Sequence, residues 1–446
     1  MSAGALVARA VSAHGVGGRQ DLPLPLDLVI QGASVALIVS FLAVILAWRQ
    51  PRFVGRQAGR PLPGWLARAI DGPVARTVLA ALGLLAGGYV GAAAVFGPDD
   101  ALNPTPYVVF VLAWVGLVPV SLVFGPVWSR VNPLRTIHRG LTRLAGRDPA
   151  RGLLAYPQRW GVWPAVVALF AFVWLELAAP DGSQPSVLVR VGAVWALVVL
   201  GGALLVGDRW IARADPFEVS TRLVSHLAVV GRRADGVLVW RNPFDGAAGL
   251  RPAPGLVTLL GVLLGSTMFD SFSNSTVWVG LTQRLGVPTV LVDTAGLAAT
   301  VGVVALAFTW AARATGPTPK APAGELPGLL AHSLLPIAVG YLTAHYFSYL
   351  LFTGQEAFIR LGDPLGTGAD VLGLAGRGVS YDVVSPAGIA LVQVGAVVAG
   401  HIAGVVAAHD RSVGLLPAHR VVIGQLPMMA LMIALTVGGL TLLFAA

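Results

Sequence analysis

The chain has 446 residues, of which 56% are hydrophobic and 11% are charged, and its mean hydropathy is +0.76. Soluble domains carry about 25% charged residues, so this composition excludes a water-soluble globule of this size. A net charge of +9 fits nucleic-acid binding, but the arginines lie in the loops between apolar segments, as membrane topology requires. The sequence contains no cysteine, which excludes disulfides and thiolate metal sites.

Ten apolar segments follow one another along the chain, and about 20 residues in a helix cross the ~30 Å hydrocarbon core of a bilayer. The segments are continuous in Leu, Val and Ala rather than alternating, which favours helices over a β-barrel. The sequence therefore predicts an all-α, polytopic transmembrane bundle. The predicted spans are Leu28–Trp48, Val74–Phe96, Tyr107–Gly125, Trp160–Ala179, Leu188–Val206, Leu256–Phe272, Val287–Ala312, Leu329–Phe352, Val384–Ala408 and Val421–Phe444.

The charge of the connections predicts the orientation. Most of the basic residues, 24 of the 30 Lys and Arg, belong to Arg76 and five connections: 49–73, 126–159, 207–253, 313–328 and 409–420. Basic loops stay in the cytoplasm, so we expect both termini outside it and the protein in the plasma membrane. The predicted organisation is an external segment at 1–27, five spans within 28–206, a basic connection at 207–253 and five spans within 254–446. The two halves enter the membrane in opposite directions, which is compatible with an inverted repeat.

The first residues allow two interpretations. Val11-Ser12-Ala13 suits signal peptidase, and cleavage after Ala13 would leave His14 as an N-terminal copper ligand. However, thirteen residues that include Arg9 are short for a signal sequence. The alternative is a flexible external tail.

Three basic connections repeat one pattern, Asn or Asp followed by Pro. The repeats are Asn132-Pro133, Asp215-Pro216 and Asn242-Pro243. Asn or Asp as the N-cap and Pro at the first helical position predict short helices, which we place at 132–144 and 215–230. A turn and a short strand are expected at 234–240. These connections are interpreted as elbows that fix the topology, with binding of anionic lipid or a partner as the alternative.

Ionisable side chains inside the spans form the candidate functional site. Each costs about 2.5–3.5 kcal/mol on insertion scales, so each needs a partner or a function. The predicted orientation places six polar residues in the outer half: Glu176, Asp270, Asn274, Asp293, His345 and Gln393. We interpret them as an outward-opening site that holds a metal or a proton-transfer pair. The alternative is a buried network that fastens helices together, worth ~0.6 kcal/mol per bond.

Two spans carry most of this pattern. Six of the ten residues from Ser266 to Ser275 have hydroxyl or amide side chains, which predicts an unwound segment that lines a cavity. In the eighth span Tyr341, His345 and Tyr349 recur every four residues and share one helix face. The expected substrate pocket consists of Tyr341, Tyr349, Asn274, Gln393 and Gln355. A second, inner set, His332 and His401, is expected to line a path from the cytoplasmic side.

These residues resemble a bacterial family of polytopic membrane proteins, common in actinobacteria, that is labelled fenitrothion hydrolase. The resemblance covers most of the chain and rests on Ala13-His14-Gly15, Asp21-Leu22-Pro23, Trp174–Leu177, Gly265–Asn274, Ala344–Ser348, Gly354-Gln355, Gly400-His401 and His409-Asp410-Arg411. It implies hydrolysis of an organophosphate triester, which uses a metal-activated water or a His/carboxylate base beside an apolar pocket. The implied catalytic residues are His345, Asp270 and Glu176. A divalent metal is the candidate cofactor, with His345, Asp270 and Asp293 as its ligands.

Three functions remain open at this point. The first is this membrane-embedded hydrolase, which requires its polar residues to converge on one pocket. The second is a permease for a metal ion or small solute, which requires polar residues distributed along a path across the bilayer as far as His332 and His401. The third is a non-catalytic copper-handling or assembly protein with His14 as a ligand. All three place the chain in a lipid bilayer with a small-molecule substrate or solute and without nucleic acid.

Overall fold

The computed structural model describes residues 22–444; Met1–Ala13 and His14, and with them the signal and copper-ligand predictions, lie outside this range. The chain is 72% helical, and its described part contains ten helices that are long and apolar enough to cross a membrane. The prediction of an all-α, multi-pass membrane protein is therefore confirmed. The longer helices are α1 (Leu26–Ala47), α3 (Pro73–Phe96), α8 (Trp163–Leu177), α9 (Pro185–Val206), α13 (Leu256–Ser273), α15 (Thr289–Ala314), α17 (Leu334–Leu361), α18 (Pro386–Leu415) and α19 (Val421–Phe444). The remaining span is a π-helical segment α4 (Tyr107–Val115) followed by α5 (Leu117–Phe124).

Shorter elements connect these spans. The short helices are α2 (Gly64–Asp71), α6 (Trp128–Val131), α7 (Pro133–Leu144), α10 (Asp208–Ala214), α11 (Pro216–Val224), α12 (Pro243–Ala248), α14 (Thr276–Leu285) and α16 (Leu326–Leu330). The strands β1 (Arg60–Pro61), β2 (Val230–Arg232) and β3 (Leu238–Trp240) form an antiparallel sheet in the order β1-β3-β2. Gly236, at φ +86°, lies in the turn between β2 and β3, where the sequence predicts a turn.

The outward faces of several spans are apolar. Leu85 on α3, Leu197 on α9 and Leu306 on α15 are each about 70% exposed in the isolated chain. Exposed leucines on the outer faces of long apolar helices are unfavourable in water and suit acyl chains. These surfaces therefore agree with a bilayer environment.

The helices pack into two compact units. Unit 1 comprises Gly59–Arg241 and Leu350–Tyr381, whereas unit 2 comprises residues 22–58, Asn242–Tyr349 and residues 382–444. The first span, α1, packs against α18 and α19 within unit 2. The packing units therefore do not follow the two halves of the sequence.

The repeated Asn-Pro and Asp-Pro pattern starts helices, as predicted. Asn132 Oδ1 accepts a hydrogen bond from Arg135 N at 3.1 Å, and Asp215 Oδ1 accepts one from Phe217 N at 2.9 Å. Asn242 caps α12 in the same way. In unit 1 the two caps also meet, because Asn132 Nδ2 donates to Asp215 Oδ2 at 2.8 Å.

Unit 1 contains a buried ion network beside these caps. The guanidinium of Arg135 lies 3.0 Å from Glu218 and 3.3 Å from Asp208, and the Glu218 side chain is 2% exposed. Burial raises the pKa of Glu218 above its ordinary value, and burial likewise raises the pKa of Asp215. Since Arg135 on α7 reaches groups at the starts of α10 and α11, the network joins three short helices.

Unit 2 depends on close contacts at glycines. A Cβ added at Gly340 of α17 would lie 3.1 Å from the Cα of Gly400 on α18. A Cβ at Gly439 of α19 would lie 2.9 Å from the ring of Tyr341. Small residues allow helix backbones to approach closely in membranes, so α17 sits directly against α18 and α19.

The prediction that the sixth span unwinds is wrong. Helix α13 continues through Ser266 to Ser273 without a break. Thr267 Oγ1 donates to the carbonyl of Leu263 at 2.9 Å, and Ser271 Oγ lies 3.4 Å from the carbonyl of Thr267. The Thr267 hydroxyl bonds back to its own helix, so the stretch stays helical instead of competing with it.

Candidate functional site

Asp270 and His345 meet inside unit 2. Asp270 lies in the last turn of α13, and His345 lies in the middle of α17. His345 Nε2 is 2.8 Å from Asp270 Oδ2. Their side chains are 3% and 6% exposed. A distance of 2.8 Å falls in the range of charge-assisted hydrogen bonds, which are about twice as strong as neutral ones. Two of the three predicted catalytic residues, Asp270 and His345, are therefore in direct contact.

Two hydroxyl groups extend the hydrogen bonding on the other side of the imidazole. Ser271 Oγ lies 3.1 Å from His345 Nδ1, and the Tyr341 hydroxyl lies 3.3 Å from Ser271 Oγ. An ionised carboxylate only accepts, so His345 donates from Nε2 and its Nδ1 accepts from Ser271. Ser271 then accepts from Tyr341. The four groups form one directed hydrogen-bonded chain, which we call the Asp–His relay.

Neighbouring rings fix the imidazole in this orientation. The Tyr346 hydroxyl donates to Asp270 Oδ2 at 3.3 Å, and its ring packs edge-on against His345 with centroids 4.6 Å apart. The ring of Tyr341 is 1% exposed and rests on Gly439. Because both faces of the site are packed, the relay has a single well-defined geometry.

Ser271 and Tyr346 were not singled out from the sequence. Each directly follows a residue that was, since Ser271 follows Asp270 and Tyr346 follows His345. Neighbours in a helix differ by 100° in direction, so the sequence alone indicates only one of each pair as facing the site. Both reach it because α13 and α17 lie against each other at this level.

Other predicted site residues of unit 2 have different contacts. Asn274 Nδ2 donates to the carbonyl of Asp270 at 2.8 Å and so closes the end of α13. Asp293 accepts from Trp278 Nε1 at 2.8 Å, on α15. Tyr349 is buried and packs against Tyr346, with ring centroids 6.2 Å apart.

Glu176 and Gln355 belong to unit 1. Glu176 lies near the end of α8 and is half-buried. Gln355 Nε2 donates to the carbonyl of Ser380 at 3.1 Å, and Ser380 N donates to Gln355 Oε1 at 3.0 Å. This amide therefore holds the connection after α17 in place.

The metal site expected from His345, Asp270 and Asp293 has no support in the structure. Across residues 22–444 there is no group of three or more His, Asp or Glu side chains placed to hold a metal ion. Transition metals in proteins take three or four such ligands. Asp293 is engaged by the indole of Trp278 instead.

Three buried polar residues lie at successive levels of α18, where the sequence indicated His401. Gln393, His401 and His409 are each at most 2% exposed. His401 donates from Nδ1 to the carbonyl of Val397 at 2.8 Å, and its Nε2 has no hydrogen-bond partner in the described part of the chain. Gln393 Oε1 likewise has no hydrogen-bond partner among the described residues. Buried polar atoms of this kind are rare and need an explanation.

His409, the last of the three, lies near the arginine-rich end of unit 2. His409 Nε2 lies 3.0 Å from the carbonyl of Trp48, and its Nδ1 lies 3.2 Å from Gln425 Oε1. His332 faces two carbonyl groups, those of Leu329 and Ala407, at 3.1 and 3.2 Å. The inner set is therefore buried in the same unit as the Asp–His relay.

Comparison with protein-family models, with curated proteins and with solved structures finds no match to this chain.

Proposed function

We propose that this multi-pass membrane protein is a proton-coupled permease for a metal ion or small solute, with Asp270 and His345 as its proton-binding centre. The observation that carries the proposal is the Asp–His relay, buried within membrane-spanning helices. Intramembrane carboxylate and histidine side chains are expensive and characteristically serve proton relays in pumps and transporters.

Proton binding changes the charge of this centre by one. With a neutral imidazole and an ionised carboxylate the pair carries −1. A proton accepted at His345 Nδ1 makes an imidazolium, Ser271 turns its hydroxyl hydrogen away, and the pair becomes neutral overall. Burial penalises the charged state more than the neutral one, so protonation favours conformations in which the pair is sealed from water. Proton coupling requires that the preferred conformation depend on protonation in this way.

Buried polar residues at three levels of α18 support a permease over a single closed pocket. Gln393, His401 and His409 are spaced eight residues apart, which is ~12 Å per step along a helix. Together they extend ~24 Å, most of the ~30 Å hydrocarbon core. Gly340 and Gly400 are in contact, so the residues that follow them, Tyr341 of the relay and His401, lie at the same level of unit 2.

The proposal is tested in proteoliposomes. A potassium gradient with valinomycin sets a potential that is negative inside, and trapped pyranine reports luminal acidification. With a divalent metal ion, Mn²⁺, added outside as the cargo, we expect wild-type protein to acidify the lumen faster than protein-free vesicles. Asp270→Asn and His345→Ala should return the rate to that of empty vesicles, because neither retains the proton-binding pair.

The matched control is Asp293→Asn, which removes another carboxylate of unit 2 that lies outside the relay. It should acidify at the wild-type rate. Wild-type protein that behaves like empty vesicles would contradict the proposal. So would equal rates for Asp270→Asn, His345→Ala and wild type.

A second function is favoured by one specific contact. Ser271, His345 and Asp270 have the distances of a nucleophile, a base and an orienting carboxylate, 3.1 and 2.8 Å. In a hydrolase His345 would take the proton of Ser271 as its Oγ attacks phosphorus, and would return it to the departing aryl oxide. This agrees with the phosphotriester hydrolysis that the family resemblance implies.

The two functions give opposite results with a fluorophosphonate probe. A hydrolase would be labelled covalently on Ser271, and Ser271→Ala would abolish the labelling. A permease would remain unlabelled. Its Ser271→Ala variant should retain part of the proton flux, because Asp270 and His345 are still present.

A further inference from the structure

A cavity of about 310 Å³ lies at the arginine-rich end of unit 2. Three segments that are distant in sequence line it: residues 51–55 after α1, Ala248 at the end of α12, and residues 410–415 in the last turns of α18. All three belong to the basic connections of the sequence. The cavity is separate from the Asp–His relay.

Cations surround this cavity. Arg411 lines it, and its Nη2 donates to the carbonyl of Ala248 at 2.7 Å. Lys320 Nζ donates to the carbonyl of Gly414, another lining residue, at 2.5 Å. Arg52 lies beside it, with its guanidinium 4.4 Å from the ring centroid of Trp48. One cationic side chain, Arg411, therefore lines the cavity, and two others, Lys320 and Arg52, lie next to its lining residues.

The carboxylate in the wall already accepts hydrogen bonds from neighbouring N–H groups. Asp410 Oδ1 accepts from Trp48 Nε1 at 3.0 Å and from the backbone N–H of Arg52 at 2.6 Å. Asp410 is 4% exposed, so its oxygens are not accessible from the opening. An anion in the cavity would face a wall whose accessible charge is positive.

The rest of the lining is apolar. Pro51, Phe53, Val54 and Leu415 provide it, and the ring of Phe53 stacks on Phe244 with centroids 5.0 Å apart. Trp48 marks the level of the membrane boundary, where tryptophan rings prefer to lie. An apolar wall beside guanidinium and ammonium groups at this level matches a glycerophosphate group with the first methylenes of its chains.

We infer that this cavity binds the headgroup of an anionic phospholipid, with the phosphate against Arg411 and the glycerol and upper acyl carbons against Phe53 and Val54. Basic pockets between transmembrane helices recognise such headgroups. A soluble phosphate uses only the cationic part of the site and leaves its apolar wall in water. A lipid is assigned because its headgroup and upper acyl carbons contact both the cationic and the apolar parts of the lining.

The test is native mass spectrometry of the full-length protein in neutral detergent, titrated with phosphatidylglycerol or with phosphatidylcholine of the same chains. We expect preferential binding of phosphatidylglycerol. Arg411→Gln should weaken it about fivefold, the equivalent of the ~1 kcal/mol that one basic residue contributes near an anionic headgroup.

Two further variants separate the site from general charge. Val54→Glu places a carboxylate in the lining at a side chain that is 62% exposed, so it folds even if Arg411→Gln does not, and it should also weaken binding. Arg313→Gln removes an exposed charge at the end of α15, outside the lining, and should bind like wild type.

Three results would overturn the inference. One is equal binding of the two lipids. Another is Arg411→Gln and Val54→Glu binding as tightly as Arg313→Gln. The third is that inorganic phosphate displaces the bound lipid as effectively as short-chain, water-soluble phosphatidylglycerol does. That result would identify a site for a free anion.

Discussion

Replacing Asp270 and His345 singly and together measures how strongly the two side chains are coupled. Asp270→Leu keeps the branched shape and removes the charge, and His345→Phe keeps a ring and removes both nitrogens. Interhelical hydrogen bonds in membranes average ~0.6 kcal/mol. Bonds to an ionised group are worth about 1.5–3 kcal/mol, and the 2.8 Å contact between fully buried partners belongs to that class. We therefore expect a coupling free energy of about 1.5–3 kcal/mol.

The assay is reversible unfolding of the four proteins in mixed micelles, evaluated as a double-mutant cycle. A matched cycle with Asp293→Leu and Trp278→Phe provides the control, because that bond is also 2.8 Å long but Asp293 is only half-buried. The control coupling should be smaller, since water screens a partly exposed charge. A coupling free energy for Asp270 and His345 no larger than ~0.6 kcal/mol would refute the assignment of a charged pair. The contact would then be an ordinary interhelical hydrogen bond.

Three further predictions concern stability and proton flux. Gly439→Ala places a methyl group 2.9 Å from the Tyr341 ring, so it should cost about 1–3 kcal/mol of unfolding free energy and slow the proton flux in vesicles. Arg135→Met leaves Glu218 buried without its cation and should cost about 3–5 kcal/mol, most of which a second change, Glu218→Met, should restore. Burial raises the pKa of Asp215, so protonated Asp215 stabilises the folded state at low pH, and this contribution is lost as pH rises through the folded-state pKa. Asp215→Asn, which still caps α11, should flatten the decline in unfolding free energy from acid towards neutral pH.

The sequence predicts the transmembrane architecture closely because hydropathy and helix length are local properties. All ten spans are found, and the last one, Val421–Phe444, has the predicted bounds. The caps at Asn132, Asp215 and Asn242 were also predictable, because Asn or Asp before Pro determines the start of a helix from three adjacent residues.

The packing of the spans could not be predicted in the same way. Assigning α1 to unit 2 depends on long-range contacts with α18 and α19 that leave no local pattern. The hydroxyl-rich end of α13 suggested unwinding, but whether Thr267 competes with its helix or bonds back to it depends on a side-chain rotamer.

The candidate site was partly visible in the sequence. Asp270 and His345 could be singled out because each is costly in lipid. Ser271 and Tyr346 are ordinary residues of apolar helices, and only the contact of α13 with α17 makes them part of the relay.

The most direct test of the proton-binding centre is the protonation state of His345 in a bilayer. Solid-state NMR of ¹⁵N-histidine-labelled protein, with His345→Ala to identify the resonance, reports which ring nitrogen carries the proton. The geometry of the relay predicts a ring that is protonated at Nε2, toward Asp270. A ring that carries its proton only at Nδ1 would contradict it.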